Sequence, residues 1–167
     1  VAIIVEDGSI VAGANSYISR ADYITAAAAV GVTVTSDTTA DSELIKAAAY
    51  IDAHEINLQG YKTARDNPMA FPRTNVNTAS WQWTSSEIPT EVIKAQIEYA
   101  LDIHAGKDLW NRGGNPNLIA SEKRIEGAVS VKLAVNAGNQ VSTFTSRGDA
   151  FLMRLLKNNG APIMVRT

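Results

Sequence analysis

Cysteine is absent from the 167-residue chain, which excludes disulfides, thiolate metal sites and cysteine nucleophiles together and suits a reducing compartment. Histidine is nearly as scarce. His54 and His104 are the only two, each alone on a predicted helix, without HExxH spacing or a thiolate partner, so a structural role is expected for both. Asp52 and Asp102 stand two positions before them, an offset that points the side chains to different faces of a helix and makes poor catalytic dyads. Positive charge is not in excess either. With 15 Lys+Arg against 17 Asp+Glu and a pI near 5.7, counterion release cannot drive tight nonspecific binding to a phosphate backbone. Long apolar runs are missing: none approaches the roughly 18 residues of a membrane span. The opening run Val1 to Val5 is followed by Glu6-Asp7-Gly8 and has no basic stretch, so neither a signal peptide nor a membrane partner is expected.

Catalytic signatures are missing as well. Gly113-Gly114 is not followed by the Lys-Ser/Thr of a phosphate-binding loop, no Gly-x-Ser-x-Gly elbow occurs, and the carboxylates are scattered rather than paired. The expectation is a protein that is not an enzyme, with no catalytic residue, cofactor or metal.

What is present suits one soluble domain over residues 1–167, because a 46% hydrophobic content is enough to bury a real core. Ser19-Arg20-Ala21-Asp22 has the form of a capping box, and the alanine-rich run to Val30 meets Gly31, a natural C′ residue. After a polar loop at Thr33 to Thr39, Asp41 is expected to cap a second helix running to about Ile56, with Leu44, Ile45, Ala48 and Ile51 at helical spacing. Asn57 to Ser86 breaks the pattern with Gly60, Pro68 and Pro72 and is expected to be a long ordered loop or docking segment. Pro89 suits the first helical position of a third helix carrying Val92, Ile93, Ile97, Ala100, Leu101 and His104, ending at Gly106 or fraying to Trp110. Asn111 to Asn117 has breaker composition and is expected to form an exposed loop.

Beyond it the period changes to two. Val129, Val131, Leu133 and Val135 alternate with Ser130, Lys132 and Ala134, predicting a strand that pairs with Ser121 to Ile125 in a hairpin turning near Gly127. Ser146-x-x-Asp149 opens a last short helix with Phe151, Leu152, Leu155 and Leu156 inward, and Gly160 precedes a tail, Ala161 to Thr167. The fold class is therefore mainly α (α+β): a small bundle of three to four helices with a β-hairpin inserted before the last helix and an extended C-terminal tail.

Two groups of residues are candidates for a subunit, portal or tail interface. The first is Phe71, Pro72, Arg73, Trp81 and Trp83 in the central segment. Rings in such a segment pin it to the core or to a neighbouring subunit; alternatively they stack on single-stranded bases, although Lys62, Arg65 and Arg73 give little cationic support. The second is the apolar, β-prone stretch Pro162, Ile163, Met164, Val165 and Arg166, which either straps against its own core or adds a strand to a partner.

Several motifs then share an order with one family. Val5-Glu6-Asp7-Gly8 and Ala14-Asn15-Ser16-Tyr17-Ile18-Ser19 leading into Ala21-Asp22-Tyr23 resemble the N-terminal signature of a tailed-phage family labelled DnaT-like ssDNA-binding proteins. Ile45 to Asp52, Ala70-Phe71-Pro72-Arg73, Ile88-Pro89 with Val92, Lys94 and Ala95, and Ser121 to Gly127 followed by Val129-Ser130-Val131 resemble its later segments. Tyr61 after Gly60, and Phe71 in place of the commoner Trp, depart from the pattern while keeping aromatic character. The resemblance implies the connector fold of phage head-tail adaptors. Such a protein is made in the bacterial cytoplasm and resides in the virion neck as a homo-oligomeric ring, expected to be twelve-fold. The implied partners are the portal protein and a tail or head-closure protein, with genomic DNA passing through the channel without sequence-specific binding. The family's label implies the alternative, a single-stranded DNA-binding accessory protein of phage replication.

Overall fold

The computed structural model describes residues 2–78, 81–110 and 146–157. The predicted loop at Asn111 to Asn117, the predicted hairpin at 121–135 and the tail from Ala161 lie outside them. Among the described residues the fold has four helices and two small antiparallel sheets: α1 (Arg20–Ala29), α2 (Asp37–Asp52), β1 (Tyr61–Lys62), β2 (Arg73–Thr74), β3 (Val76–Thr78), β4 (Trp81–Trp83), α3 (Thr90–His104) and α4 (Arg147–Leu152). It is a helix-rich α+β arrangement, as the sequence predicts, with short 3-10 turns at Glu55–Asn57 and Met153–Leu155.

The helix ends follow local chemistry. Ser19 Oγ accepts from the Asp22 amide at 3.1 Å, capping the helix as predicted, and donates to the Asp22 carboxylate. At the other end Gly31 adopts φ +80°, and the Val32 amide donates back to Ala27. α2 departs from expectation: it begins more than a turn before the predicted start, capped by Ser36 and not by Asp41. Asp41 lies inside the helix, where its two oxygens accept from Arg20 Nε and Nη2 at 2.6 and 2.7 Å. This fork-to-carboxylate pair removes its need to cap a backbone. α2 also stops at Asp52, short of Ile56. Pro89 is the residue before α3 rather than its first member, with an extended ψ of 136°. α4 begins after Ser146, whose hydroxyl accepts from the Gly148 amide.

α2 packs on α3, and α3 packs on α4. Alanines thin the first contact: Ala40, Ala47 and Ala48 of α2 and Ala95 and Ala100 of α3 are all buried, so larger side chains such as Leu44, Ile51, Val92 and Tyr99 fill the space between. Gly148 admits α4 to the bundle, because a Cβ there would stand 2.7 Å from the Tyr99 ring. Gln96 is fully buried at the centre. Its oxygen accepts from the Tyr17 amide, and its nitrogen donates to Ser16 Oγ and the Leu44 carbonyl. These bonds compensate its desolvation and tie the N-terminal segment to both helices.

The segment expected to be a loop at Asn57 to Ser86 contains the two sheets. β1 pairs with β2, Tyr61 opposite Thr74; β3 pairs with β4, Val76 opposite Trp83. Strands of two or three residues are too short to show an alternating pattern in sequence. They persist here because tertiary contacts anchor them.

Candidate functional site

The central segment divides into a buried part and an open part. In the buried part, Phe71 is fully enclosed and meets Tyr17 edge-on at 6.3 Å between ring centroids. Pro72 is buried beside it, after a cis peptide bond. Arg73 is also buried, and its guanidinium donates to the carbonyls of Gln59 (2.7 Å), Gly60 (2.9 Å) and Ala70 (3.3 Å). Burial lowers its pKa, partly offset by Glu55 and by Tyr17. Gly60 has φ +67°, and any Cβ there would lie 1.8 Å from the Thr74 carbonyl oxygen, so only glycine lets the two strands come together. Phe71, Pro72 and Arg73 thus belong to the interior of the protein's own fold.

Trp81 and Trp83 behave differently. Trp81 is 60% exposed and Trp83 is half-buried, its indole N–H having no acceptor among the described residues. Both line an open groove of about 1050 Å³ whose other walls include Gln59, Asn77, Glu87, Glu91, Met153 and Arg154. Gln59 builds the floor by joining elements far apart in sequence. Its amide donates to the carbonyl of Leu155, its side-chain nitrogen to those of Arg154 and Leu156, and its side-chain oxygen accepts from the Asn77 amide. The 3-10 turn after α4 is thereby set against β3. Nothing in the sequence marks Gln59, because its partners become neighbours only on folding.

The rim is acidic. Among the described residues, Glu87 and Glu91 line the groove with one cation, Arg154. Glu87 accepts from the Thr84 amide, and those Thr84 hydrogen bonds hold its carboxyl below the ordinary range. Lys62 pairs with Glu55 at 3.4 Å, and Arg73 is enclosed. Among the described residues the aromatic face therefore lacks the cationic groove that ordinarily accompanies base stacking.

The other titratable side chains serve the frame. Tyr17 donates to Asp52, Tyr23 to Glu43 and Tyr99 to Asp149, and burial is the first cause of the raised pKa of each phenol. Burial likewise raises Asp52, opposed by its hydrogen bonds from Tyr17 and the Ala70 amide. His104 Nδ1 lies 2.8 Å from Glu43, while Asp102 turns to Lys107. His54 Nδ1 meets the Tyr50 carbonyl at 2.8 Å and its pKa is lowered by burial. The sequence neighbours Asp52 and His54, like Asp102 and His104, have separate partners, as their spacing predicts. Glu6, absent from the predicted sites, is buried and accepts from the amides of Gly8, Ile10 and Val11. Its place in the Val5-Glu6-Asp7-Gly8 motif follows from closing this N-terminal turn. Gly8 packs so tightly that a Cβ would fall 2.0 Å from the Ser86 carbonyl oxygen.

Among the described residues no helix is long and apolar enough to cross a membrane, and no group of three acidic or histidine side chains could hold a metal ion. Fold and site together define a helix-rich α+β protein whose open aromatic groove is its most distinctive surface. The chain belongs to the family described as "Putative DnaT-like ssDNA binding protein", which matches over residues 1–167. No curated protein and no solved structure matches it.

Proposed function

We propose that this chain is a structural adaptor of the tailed-phage virion. It works without turnover, as a closed ring that joins the portal protein to a tail or head-closure protein in the neck and leaves the DNA channel open. The carrying observation is the groove: Trp81 and Trp83 stand beside Glu87 and Glu91, with Arg154 the only cation among the described residues of the lining. An aromatic surface with an acidic rim suits a protein partner, since aromatic side chains anchor protein interfaces and a phosphate backbone would be repelled by the carboxylates. The resemblance of the family to the phage connector fold and the slightly acidic net charge of -2 support the same reading, because a strongly cationic lumen would retain DNA. Electron microscopy of capsids assembled with the protein should reveal a ring between portal and tail; a neck without it would overturn the proposal.

The family's description favours a second reading, binding of single-stranded DNA, in which the exposed Trp81 supplies the stacking platform. It requires a salt-sensitive affinity that Trp81→Ala weakens. Titration of the purified protein with an oligothymidylate, followed by tryptophan fluorescence, distinguishes the two. Binding that is lost with salt and weakened by Trp81→Ala establishes the DNA reading, and no binding removes it.

A further inference from the structure

Two carboxylates border the aromatic groove without a counter-charge. Glu87 lies just before α3 and Glu91 in its first turn, and neither forms an ion pair among the described residues. The cations on neighbouring elements are drawn elsewhere. Lys94, one turn beyond Glu91, and Arg154 both lie over the Phe151 ring, 5.9 and 6.0 Å from its centroid. Glu87 is held by the Thr84 amide at 2.9 Å, and the Thr84 hydrogen bonds keep its carboxyl below the ordinary range. Its negative charge is therefore fixed in place and present at neutral pH.

Beside these acids the groove offers apolar surface. Trp81 is 60% and Met153 51% accessible. Trp81 sits opposite Thr78 in the β3–β4 pair, and the Thr78 hydroxyl donates to the Trp81 carbonyl at 3.2 Å, so the indole projects from a paired strand. An indole face attracts cations and aliphatic chains alike. We infer that the groove docks an arginine-bearing, otherwise apolar segment of another protein. The guanidinium lies between the Trp81 ring and the carboxylates of Glu87 and Glu91, and its aliphatic neighbours cover Met153. Arginine is favoured over lysine because its planar, weakly hydrated head stacks on a ring and forks onto a carboxylate. A phosphate backbone is opposed by the same two charges, and a second copy of the chain, of net charge -2, brings no cationic excess. The inference rests on the groove being a protein interface and adds the chemistry of the partner.

The test uses the full chain and three capped pentapeptides, Ser-Leu-Arg-Leu-Ser and its counterparts with Lys or Glu at the centre, titrated by tryptophan fluorescence. The Arg peptide should bind more tightly than the Lys peptide, and about tenfold more tightly than the Glu peptide. Trp81→Ala, or Glu87→Gln together with Glu91→Gln, should weaken the Arg peptide about fivefold. Glu87→Lys with Glu91→Lys should reverse the order, so that the Glu peptide binds best; a variant that had merely unfolded could not gain affinity. Equal affinities for the three peptides, no binding at millimolar peptide, or an unchanged order in the reversed variant overturns the inference. Dimerisation of the protein alone that Trp81→Ala abolishes also overturns it, because the groove then holds a second copy. Oligothymidylate binding lost in Trp81→Ala does so in favour of nucleic acid. A virion neck without a ring, with the peptide order as expected, removes the adaptor reading and leaves this inference standing, whereas a ring with no peptide preference does the reverse.

Discussion

Phe71 and Trp81 belong to the same aromatic segment between α2 and α3, yet the first is fully buried and the second is 60% exposed. The difference lies in what surrounds each ring. Around Phe71 the polar groups have internal partners: Arg73 holds the carbonyls of Gln59, Gly60 and Ala70, while the Phe71 amide donates to the Tyr17 hydroxyl. Around Trp81 the side chains of Glu87, Glu91 and Arg154 border an open groove. A ring enclosed by satisfied hydrogen bonds supports the fold, and a ring beside open polar groups can receive a partner. Each region carries aromatic side chains among polar ones, so aromatic content alone cannot assign these roles.

Substitutions can break the comparison, and the largest effect is expected at Gly60. Gly60→Ala places a methyl group 1.8 Å from the Thr74 carbonyl at φ +67°, so unfolding in urea should register a loss of about 3 kcal/mol or more. A loss below about 1 kcal/mol would mean that β1 and β2 separate easily. Next is Arg73→Ala, which strips three carbonyls of a donor and should cost about 2–4 kcal/mol by the same assay. Arg73→Lys should recover only part of it, since an ammonium cannot reproduce the planar fork. The smallest effect on stability belongs to Trp81→Ala, expected to stay within about 0.5 kcal/mol because the ring is largely exposed. The same substitution should reduce partner capture, so a large loss of stability without loss of capture would place Trp81 with Phe71 after all.

Local signals were legible where one turn of chain decides the outcome. Ser19 and Ser146 cap their helices, and Gly31 and Gly106 take the positive φ expected past a helix end. The start of α2 was obscured because two capping residues compete, Ser36 and Asp41, and Arg20 on another helix settles the contest by binding Asp41. The aromatic candidates were recognised as residues, while their division into buried and open could not be read. That division depends on Gln59 meeting Arg154 and Leu156 across 95 and 97 positions of chain.

By itself, the sequence determined the helical class of the chain, most helix ends, the lack of cysteine chemistry and the shared order of family motifs, because composition, capping and spacing act over a few residues. Only the tertiary structure decided that Asp41 pairs with Arg20, that Tyr17, Tyr23 and Tyr99 donate hydrogen bonds to carboxylates from distant parts of the chain, and that Trp81 rather than Phe71 faces outward. Those outcomes depend on which distant groups satisfy one another's hydrogen bonds once water is removed, a choice that no local stretch of chain contains.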